Sequence, residues 1–410
     1  MEAPSGSIPQ RADVVVIGAG ILGLATAATL LQRKPGTRVV VVEKEEAPAL
    51  HQTGRNSCVV HAGVYYAPGT LKAELCVRGR ELLRRFCDEE GVLFERCGKV
   101  IVAVDEDERP RLEELFRRGV ANGVEGLEQV GPDRLRELEP HAAGVEALHV
   151  PSTALVDFRR VCVALRRRIE DAGGTVVTGA EVRRLDERDN GVLVETTSGA
   201  AEAATVVACG GLQADRLIAA SGIADTDSSV IVPFRGDYFA FRDGARRLCR
   251  NLIYPVPDPA FPFLGVHVSR RPDGSVWAGP NAVVALAREK YRRRDVDVRD
   301  AIATARARPF WRLVAANWRL GFRELYRDVS RRAFAHAVRR YIPEVSADDL
   351  EPAPAGIRPQ ALRPDGSLAD DFIFVETARI VHVKNAPSPA ATSSLAIAER
   401  IADRVSAHAH

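Results

Sequence analysis

The sequence has no stretch of the roughly 18 consecutive apolar residues that a membrane-spanning helix needs. It has no C-x-x-C pair. Its seven cysteines (Cys58, Cys76, Cys87, Cys97, Cys162, Cys209 and Cys249) are scattered and odd in number. That argues against a disulfide framework and against a structural zinc centre, and leaves buried free thiols in a reducing compartment as the expectation. Charge of one sign is missing too: 57 basic residues face 55 acidic ones, a net +2, so nothing supports nucleic-acid binding. Lysine is scarce beside arginine, a bias that carries no functional weight. No internal repeat, low-complexity tract, metal-ligand cluster or nucleophile elbow is present. The first ten residues lack a charged segment followed by an apolar one, so no secretory signal is expected. The expected location is cytoplasmic, with peripheral contact at the inner face of a membrane left open. What remains is a globular composition, 46% hydrophobic and 27% charged, on 410 residues. That length suits two or three domains.

Against these absences stands a clear order of elements. Residues 12–17 (ADVVVI) are almost wholly apolar and read as a buried parallel strand. A glycine turn follows, then a helix over 24–32 that Pro35-Gly36 ends, then a second buried strand over 38–43. This is a βαβ unit. Residues 51–66 are irregular, polar and glycine-containing, and such a loop inside a folded domain is usually functional. Helices are expected over 71–90 and 158–172, and strands over 99–104, 175–177, 192–196 and 205–209. From about residue 231, the runs VPFRGDYFAF, FPFLGVHVSR and SVWAGP alternate with Pro- and Gly-containing turns and read as an antiparallel sheet. Residues 283–340 read as helical and Arg-rich, with Trp311, Phe322, Tyr326 and Phe334 at amphipathic intervals. A strand over 380–383 and a helix over 395–405 close the chain.

The turn Gly18-Ala19-Gly20-Ile21-Leu22-Gly23 is G-x-G-x-x-G. Alone the string is weak. Its context makes it a dinucleotide site: a strand before, a helix after, a second strand, and Glu43 twenty residues past Gly23. Gly18 permits the tight turn, Gly20 lets backbone approach a pyrophosphate, and Gly23 lets helix and strand pack closely. The helix start offers N–H groups to phosphates, and Glu43 can accept ribose hydroxyls. A nicotinamide dehydrogenase would continue with further βα units. This chain instead enters a loop and returns much later with residues 179–182 (GAEV) and VVACGG. That layout resembles the glutathione-reductase type of FAD domain. The resemblance implies backbone contacts of Val182 with adenine and a second, flavin-side turn at Gly210.

Longer strings sharpen the resemblance. His51-Gln52-Thr53-Gly54-Arg55-Asn56-Ser57 continues to His61-Ala62-Gly63-Val64-Tyr65-Tyr66. Further along come Phe234-Arg235-Gly236-Asp237-Tyr238, Ile253-Tyr254-Pro255-Val256-Pro257-Asp258 and Pro262-Phe263-Leu264-Gly265-Val266-His267. Gly279-Pro280-Asn281-Ala282-Val283, Pro354-Ala355-Gly356-Ile357-Arg358 and Asn385-Ala386-Pro387-Ser388-Pro389-Ala390-Ala391-Thr392 complete the set. These strings closely resemble L-2-hydroxyglutarate dehydrogenases and oxidases, of the D-amino-acid-oxidase-like superfamily, over residues 12–405. The Arg-rich part of 283–340 departs from the family pattern.

The resemblance implies an α/β fold: a glutathione-reductase-type FAD-binding Rossmann domain, an antiparallel-sheet substrate domain and an added helical region. The expected division gives 1–85, 151–225 and 350–410 to FAD, and 86–150 and 226–349 to substrate, with the helical region at 283–340. It implies non-covalent FAD, held further by Leu22, Lys44, Thr53, Asn56, Ser57, Asn385, Pro387, Ser388 and Ala390. It also implies oxidation of L-2-hydroxyglutarate to 2-oxoglutarate, by hydride transfer to the flavin while a base takes the hydroxyl proton. Electrons then pass to oxygen or a quinone. Oxidation of another 2-hydroxy or amino acid, or flavin binding without turnover, are the competing readings.

A 2-hydroxy dicarboxylate needs cationic or multi-donor groups at two places. Arg358 stands where the superfamily commonly places a carboxylate-binding arginine, and its planar fork suits that task. Arg235 is a second cation, for substrate or for structure. His267 reads as a base or substrate hydrogen-bond partner, since imidazole titrates near neutrality, with a structural histidine as the bland alternative. Tyr254 is placed to hydrogen-bond the distal carboxylate. His61 reads as a second base, a flavin contact or a packing residue. The start of the last helix, after residues 385–392, is expected to face the flavin with its partial positive charge, or to be an ordinary capped helix. No metal is expected. Trp and Tyr residues among the arginines of 283–340 suit anionic headgroups, or simply solvent.

Overall fold

The computed structural model describes residues 7–258 and 264–408. The stretch Pro262-Phe263, and with it the start of the expected strand FPFLGVHVSR, lies outside the described residues.

Two large sheets organise the chain. The first has eight strands. At its centre Arg11–Ile17 runs parallel to Val39–Val42 on one side and to Gly199–Ala208 on the other. Thr175–Val177 and Ile380–Asn385 extend the parallel set. Val182–Arg188 and Gly191–Thr196 add an antiparallel hairpin beside Gly199–Ala208. The central strands are buried on both faces, which is why they read as unbroken valine runs. One face carries the helices Ile21–Arg33, Leu71–Glu90, Phe158–Asp171 and Ser394–His408 over Val14, Val16, Val39 and Val41. The other packs Val15, Ile17, Val40 and Val42 against Leu185, Val192 and Val194 of the hairpin. The helix starts are cut by local chemistry. Thr70 accepts a hydrogen bond from the Ala73 N–H at the head of Leu71–Glu90, and Asp157 does the same for Arg159 at the head of Phe158–Asp171.

The second sheet has nine strands, in the order Val283–Val284, Val230–Phe241, Val276–Gly279, His267–Arg270, Leu252–Pro255, Val100–Ala103, Glu146–His149 and Glu128–Val130, with Leu350–Leu362 paired to Val230–Phe241. It is antiparallel except for one parallel pair, Leu252–Pro255 with Val100–Ala103. Leu350–Leu362 was not expected as a strand. It runs antiparallel to most of Val230–Phe241, which puts it in this sheet although the expected division gave residues from 350 onward to the cofactor part.

The helical region is shorter than expected. Helices occupy Val298–Arg306, Arg308–Val329 and Arg331–Val338, whereas Val283–Val284 is a strand and 285–297 contains no helix. The cause is Arg288. Its backbone N–H donates to the Asp300 carboxylate (2.7 Å), and its buried guanidinium bonds the Leu212 carbonyl (2.6 Å) and Asp215 (2.5 and 2.7 Å). These long-range partners outweigh the local helical preference of the segment.

Candidate functional site

Three glycines shape the first turn, each differently. Gly18 has φ +96°, and a Cβ there would lie 2.6 Å from the Cys209 carbonyl oxygen. A Cβ on Gly23 would fall 1.9 Å from the Gly18 carbonyl oxygen, so helix and turn meet backbone to backbone. A Cβ on Gly20 would meet nothing nearer than Thr53 Oγ1 at 3.5 Å. Gly20 is thus bare backbone at a helix start, and it lines a cavity of about 440 Å³ together with Ile21, Leu22 and Gly23. Thr53 Oγ1 accepts the Ile21 N–H (3.1 Å) and binds the loop to that helix start. Glu43 is buried. Its Oε2 accepts from Ala19 N–H (2.7 Å) and its Oε1 from Glu45 N–H (3.0 Å), so it clamps the turn to the second strand. Lys44 pairs with Glu45 (2.8 Å) and Glu289 (2.5 Å). Neither Glu43 nor Lys44 lines the cavity.

From the turn the cavity passes Gln52, Thr53, Asn56 and Ser57 and reaches Pro387, Ser388, Ala390 and Thr392. Asn56 rigidifies its loop, donating to the Thr53 carbonyl (2.8 Å) and accepting from Cys58 N–H (2.9 Å). A side-chain-free cradle beside a helix N-terminus, continued by a polar loop and a second chain turn, fits FAD. Besides Gly18, Glu43 and Lys44, three further expected contacts fall outside this lining. Val182 opens the hairpin strand Val182–Arg188 two residues after Ala180, whose N–H donates to the Glu43 carbonyl (2.8 Å), so it sits beside the turn but outside the lining. Gly210 packs against the helix Ala214–Ala220, where a Cβ would come 2.4 Å from Leu217, and its neighbours Cys209 and Gly211 line the cavity instead. Asn385 turns its amide to the carbonyls of Ala369 (3.1 Å) and Asp371 (2.8 Å).

The other end of the cavity gathers His61, Tyr254, His267 and Arg358. His267 comes from the second sheet, and its Nδ1 lies 3.1 Å from the Gly265 carbonyl. A carbonyl only accepts, so Nδ1 carries the proton and Nε2 holds a free lone pair. The ring stacks on Tyr254, with centroids 4.0 Å apart. Burial pushes His267 down to about 3, and the nearby Arg358 and Lys99 charges add to this. His61 is likewise held at about 3 by burial, then by Lys99 and His267. Both rings are therefore neutral near pH 7. The His61 backbone N–H donates to Thr392 Oγ1 (3.0 Å), joining the loop to the last chain turn. Arg358 lies on Leu350–Leu362, close to the Tyr238 side chain, with no carboxylate partner among the described residues. Lys72 and Asp370 form an ion pair (2.6 Å) at the exposed end of the lining.

Arg235 is not brought into the cavity. It is buried, with Nε 2.9 Å from Asp237 and a terminal nitrogen 3.0 Å from Asp328 on the helix Arg308–Val329. Asn281 completes the clasp, bonding Asp328 (3.1 Å) and the Asp237 N–H (2.7 Å). Two carboxylates saturate this cation, so it serves structure. Sequence reasoning missed Lys99. It precedes an ordinary apolar strand, and only burial (2% exposed) and its position beside His61 and Tyr254 single it out.

Residues 13–404 match the family model described as FAD dependent oxidoreductase. The chain is 44% identical to the L-2-hydroxyglutarate dehydrogenase of Escherichia coli (strain K12), over 96% of this chain and 93% of that one. It is 42% identical to the mitochondrial L-2-hydroxyglutarate dehydrogenase of Homo sapiens, over 96% and 88%. Among solved structures, the FAD-bound, dithionite-reduced L-alpha-glycerophosphate oxidase of Mycoplasma pneumoniae superposes with a TM-score of 0.78 at 23% identity, covering 97% of this chain and 95% of that one. The glycine oxidase of Geobacillus kaustophilus follows with 0.70 at 18%, covering 97% and 95%. These two likenesses concern the fold.

Proposed function

Because the chain belongs to the FAD-dependent oxidoreductase family, among the L-2-hydroxyglutarate dehydrogenases, we propose that it oxidises L-2-hydroxyglutarate to 2-oxoglutarate with His267 as base and Arg358 as carboxylate anchor. The observation that carries the assignment of roles is the tautomer of His267: a neutral ring whose Nδ1–H is held by Gly265 and whose Nε2 is left to accept. Arg358 grips the C1 carboxylate through two parallel N–H bonds. His267 Nε2 then takes the proton of the C2 hydroxyl. Bound FAD supplies the acceptor for the hydride that leaves C2. Arg358, Lys99 and the proton gained by His267 leave the site with enough positive charge to hold the dianionic product. FAD is held without a covalent bond, so acid precipitation leaves all flavin in the supernatant.

Anaerobic mixing with L-2-hydroxyglutarate is expected to bleach the flavin. In Arg358→Met the apparent Kd for substrate rises by roughly 30-fold or more, the loss expected when one partner of a desolvated charge pair is removed. Bleaching by amino acids but not by L-2-hydroxyglutarate would refute the reading, and no bleaching by either would point to a flavin-binding protein without turnover.

The acceptor we propose is a quinone met at an anionic membrane surface. No helix among the described residues is long and apolar enough to cross a membrane. The helix Arg308–Val329, however, exposes Trp311, Trp318, Phe322, Leu325, Tyr326 and Val329. The chain kinks at Asn317, and beyond the kink the spacing of Trp318, Phe322, Leu325, Tyr326 and Val329 puts them on one face, beside Arg319. A solvated helix has no use for such a face, whereas an interfacial one buries it among headgroups. Co-flotation with phosphatidylglycerol vesicles, lost in Trp318→Ser/Phe322→Ser, and reduction of a quinone analogue without peroxide are expected. Peroxide formed in step with substrate loss would make oxygen the acceptor.

A further inference from the structure

Behind His61 and Tyr254, which line the cavity, stand buried polar groups without partners, and Tyr65 and Lys99 lie there just outside the lining itself. Tyr254 is fully buried, and its hydroxyl has no hydrogen bond of good geometry among the described residues, though Ser269 and Ser57 lie near it. The Tyr65 hydroxyl and His61 Nδ1 are also buried without a partner. Lys99 joins them: its Nζ lies 4.4 Å from the centre of the Tyr65 ring and 4.9 Å from that of Tyr254. No carboxylate among the described residues pairs with it; the titratable groups near it are the thiols of Cys76 and Cys97, which burial keeps protonated, and the neutral rings of His61 and His267. One unmatched buried group is an accident. An unpaired ammonium and two unbonded hydroxyls in one place ask for a missing anion.

We propose that Lys99, with the hydroxyls of Tyr65 and Tyr254, forms the subsite for the distal carboxylate of the substrate and so selects a dicarboxylic over a monocarboxylic 2-hydroxy acid. This rests on the hydroxy-acid reading above. A carboxylate offers about four acceptor positions, enough for one ammonium and two phenols. Burial lowers Lys99 to about 7, and an arriving carboxylate favours its charged form. The other cations nearby are engaged. Lys72 holds Asp370, Lys384 holds Asp225 and Asp227, Arg235 is saturated by Asp237 and Asp328, and Arg55 donates to the Leu50 carbonyl (3.1 Å). Among the described residues neither Arg358 nor Lys99 has a carboxylate partner, and the charges of both act on His267.

The test compares holoenzymes on L-2-hydroxyglutarate and on L-2-hydroxyvalerate, which has the same chain length without the second carboxylate. Lys99→Met is expected to lower kcat/KM for the diacid by roughly 100- to 1000-fold, through KM, and to lower it at least tenfold less for the monoacid. Lys99→Arg restores much of the diacid preference, and Tyr65→Phe costs about tenfold on the diacid alone. Equal losses on both acids in Lys99→Met, or an undiminished diacid preference, would overturn the subsite. Glutarate and butyrate binding, read from the flavin absorbance, separates this from the activity itself. If neither hydroxy acid reduces the flavin, the activity reading fails. Loss of glutarate binding in Lys99→Met then still supports the subsite, and unchanged glutarate binding overturns it.

Discussion

Replacing His267 by glutamine removes the nitrogen that faces the reacting hydroxyl while leaving an amide able to reach the Gly265 carbonyl. The structural loss is the face contact with Tyr254 at 4.0 Å. Such ring pairs contribute about 0.5–1.5 kcal/mol, small beside a total stability of about 5–15 kcal/mol. The variant should fold and retain FAD. The chemical loss is a positioned general base, roughly a 10²- to 10⁴-fold effect, or about 2.7–5.4 kcal/mol on the barrier. Arg358 and Lys99 are untouched, so the apparent Kd for substrate should change by less than about fivefold. Anaerobic stopped-flow absorbance reads both quantities, the plateau giving the reduction rate and the half-saturation giving Kd. A plateau within about threefold of the unaltered protein, at equal flavin occupancy, would refute the role. His61, whose Nδ1 also lacks a partner, would then become the base.

The two buried histidines make stability depend on pH. Both have folded values near 3, below the ordinary 6.5, so each takes up a proton on unfolding between those limits. Their contribution is complete above about pH 6.5 and is lost as pH falls, by about 2 kcal/mol each from pH 7 to pH 5. Urea midpoints at the two pH values should converge in His61→Gln/His267→Gln, and an unchanged pH slope would contradict this. Gly23→Ala sets a Cβ 1.9 Å from the Gly18 carbonyl oxygen, so the turn must shift. FAD affinity should fall by about tenfold or more, and full flavin content after dialysis would show the contact to be tolerated. Arg235→Met leaves Asp237 and Asp328 with only the partly exposed Arg293 (3.9 and 3.5 Å) as counter-charge, and thermal melts should report a loss of about 3 kcal/mol, with the flavin reduction rate kept. A lost reduction rate at unchanged melting temperature would return Arg235 to the substrate.

Much of the cofactor half was legible because its signals are local. A valine run, three glycines at fixed offsets and a second valine run occupy about thirty residues, and their steric consequences need no distant partner. The strands Arg11–Ile17 and Val39–Val42, the helix Leu71–Glu90 and the cavity-lining Thr53, Ser57, Pro387 and Ser388 followed from such stretches or from their likeness to a family. Arg235 and Asn385 sat in equally long matching strings, yet both turned out to hold the fold. A string does not reveal whether a side chain faces a cavity or a carboxylate brought in from 93 residues away.

The sequence by itself therefore determined the βαβ unit, its dinucleotide turn and the family, since backbone geometry and periodicity are written within a few turns of chain. Only the tertiary structure decided which charges are spent and which are free. Arg288 unwinds an expected helix because Asp215 and Asp300 reach it. Lys99 is left without a carboxylate partner among the described residues, its ammonium lying against the rings of Tyr65 and Tyr254 instead. Desolvation and pairing depend on what surrounds a group in space, and that is settled only when segments far apart in the chain close around it.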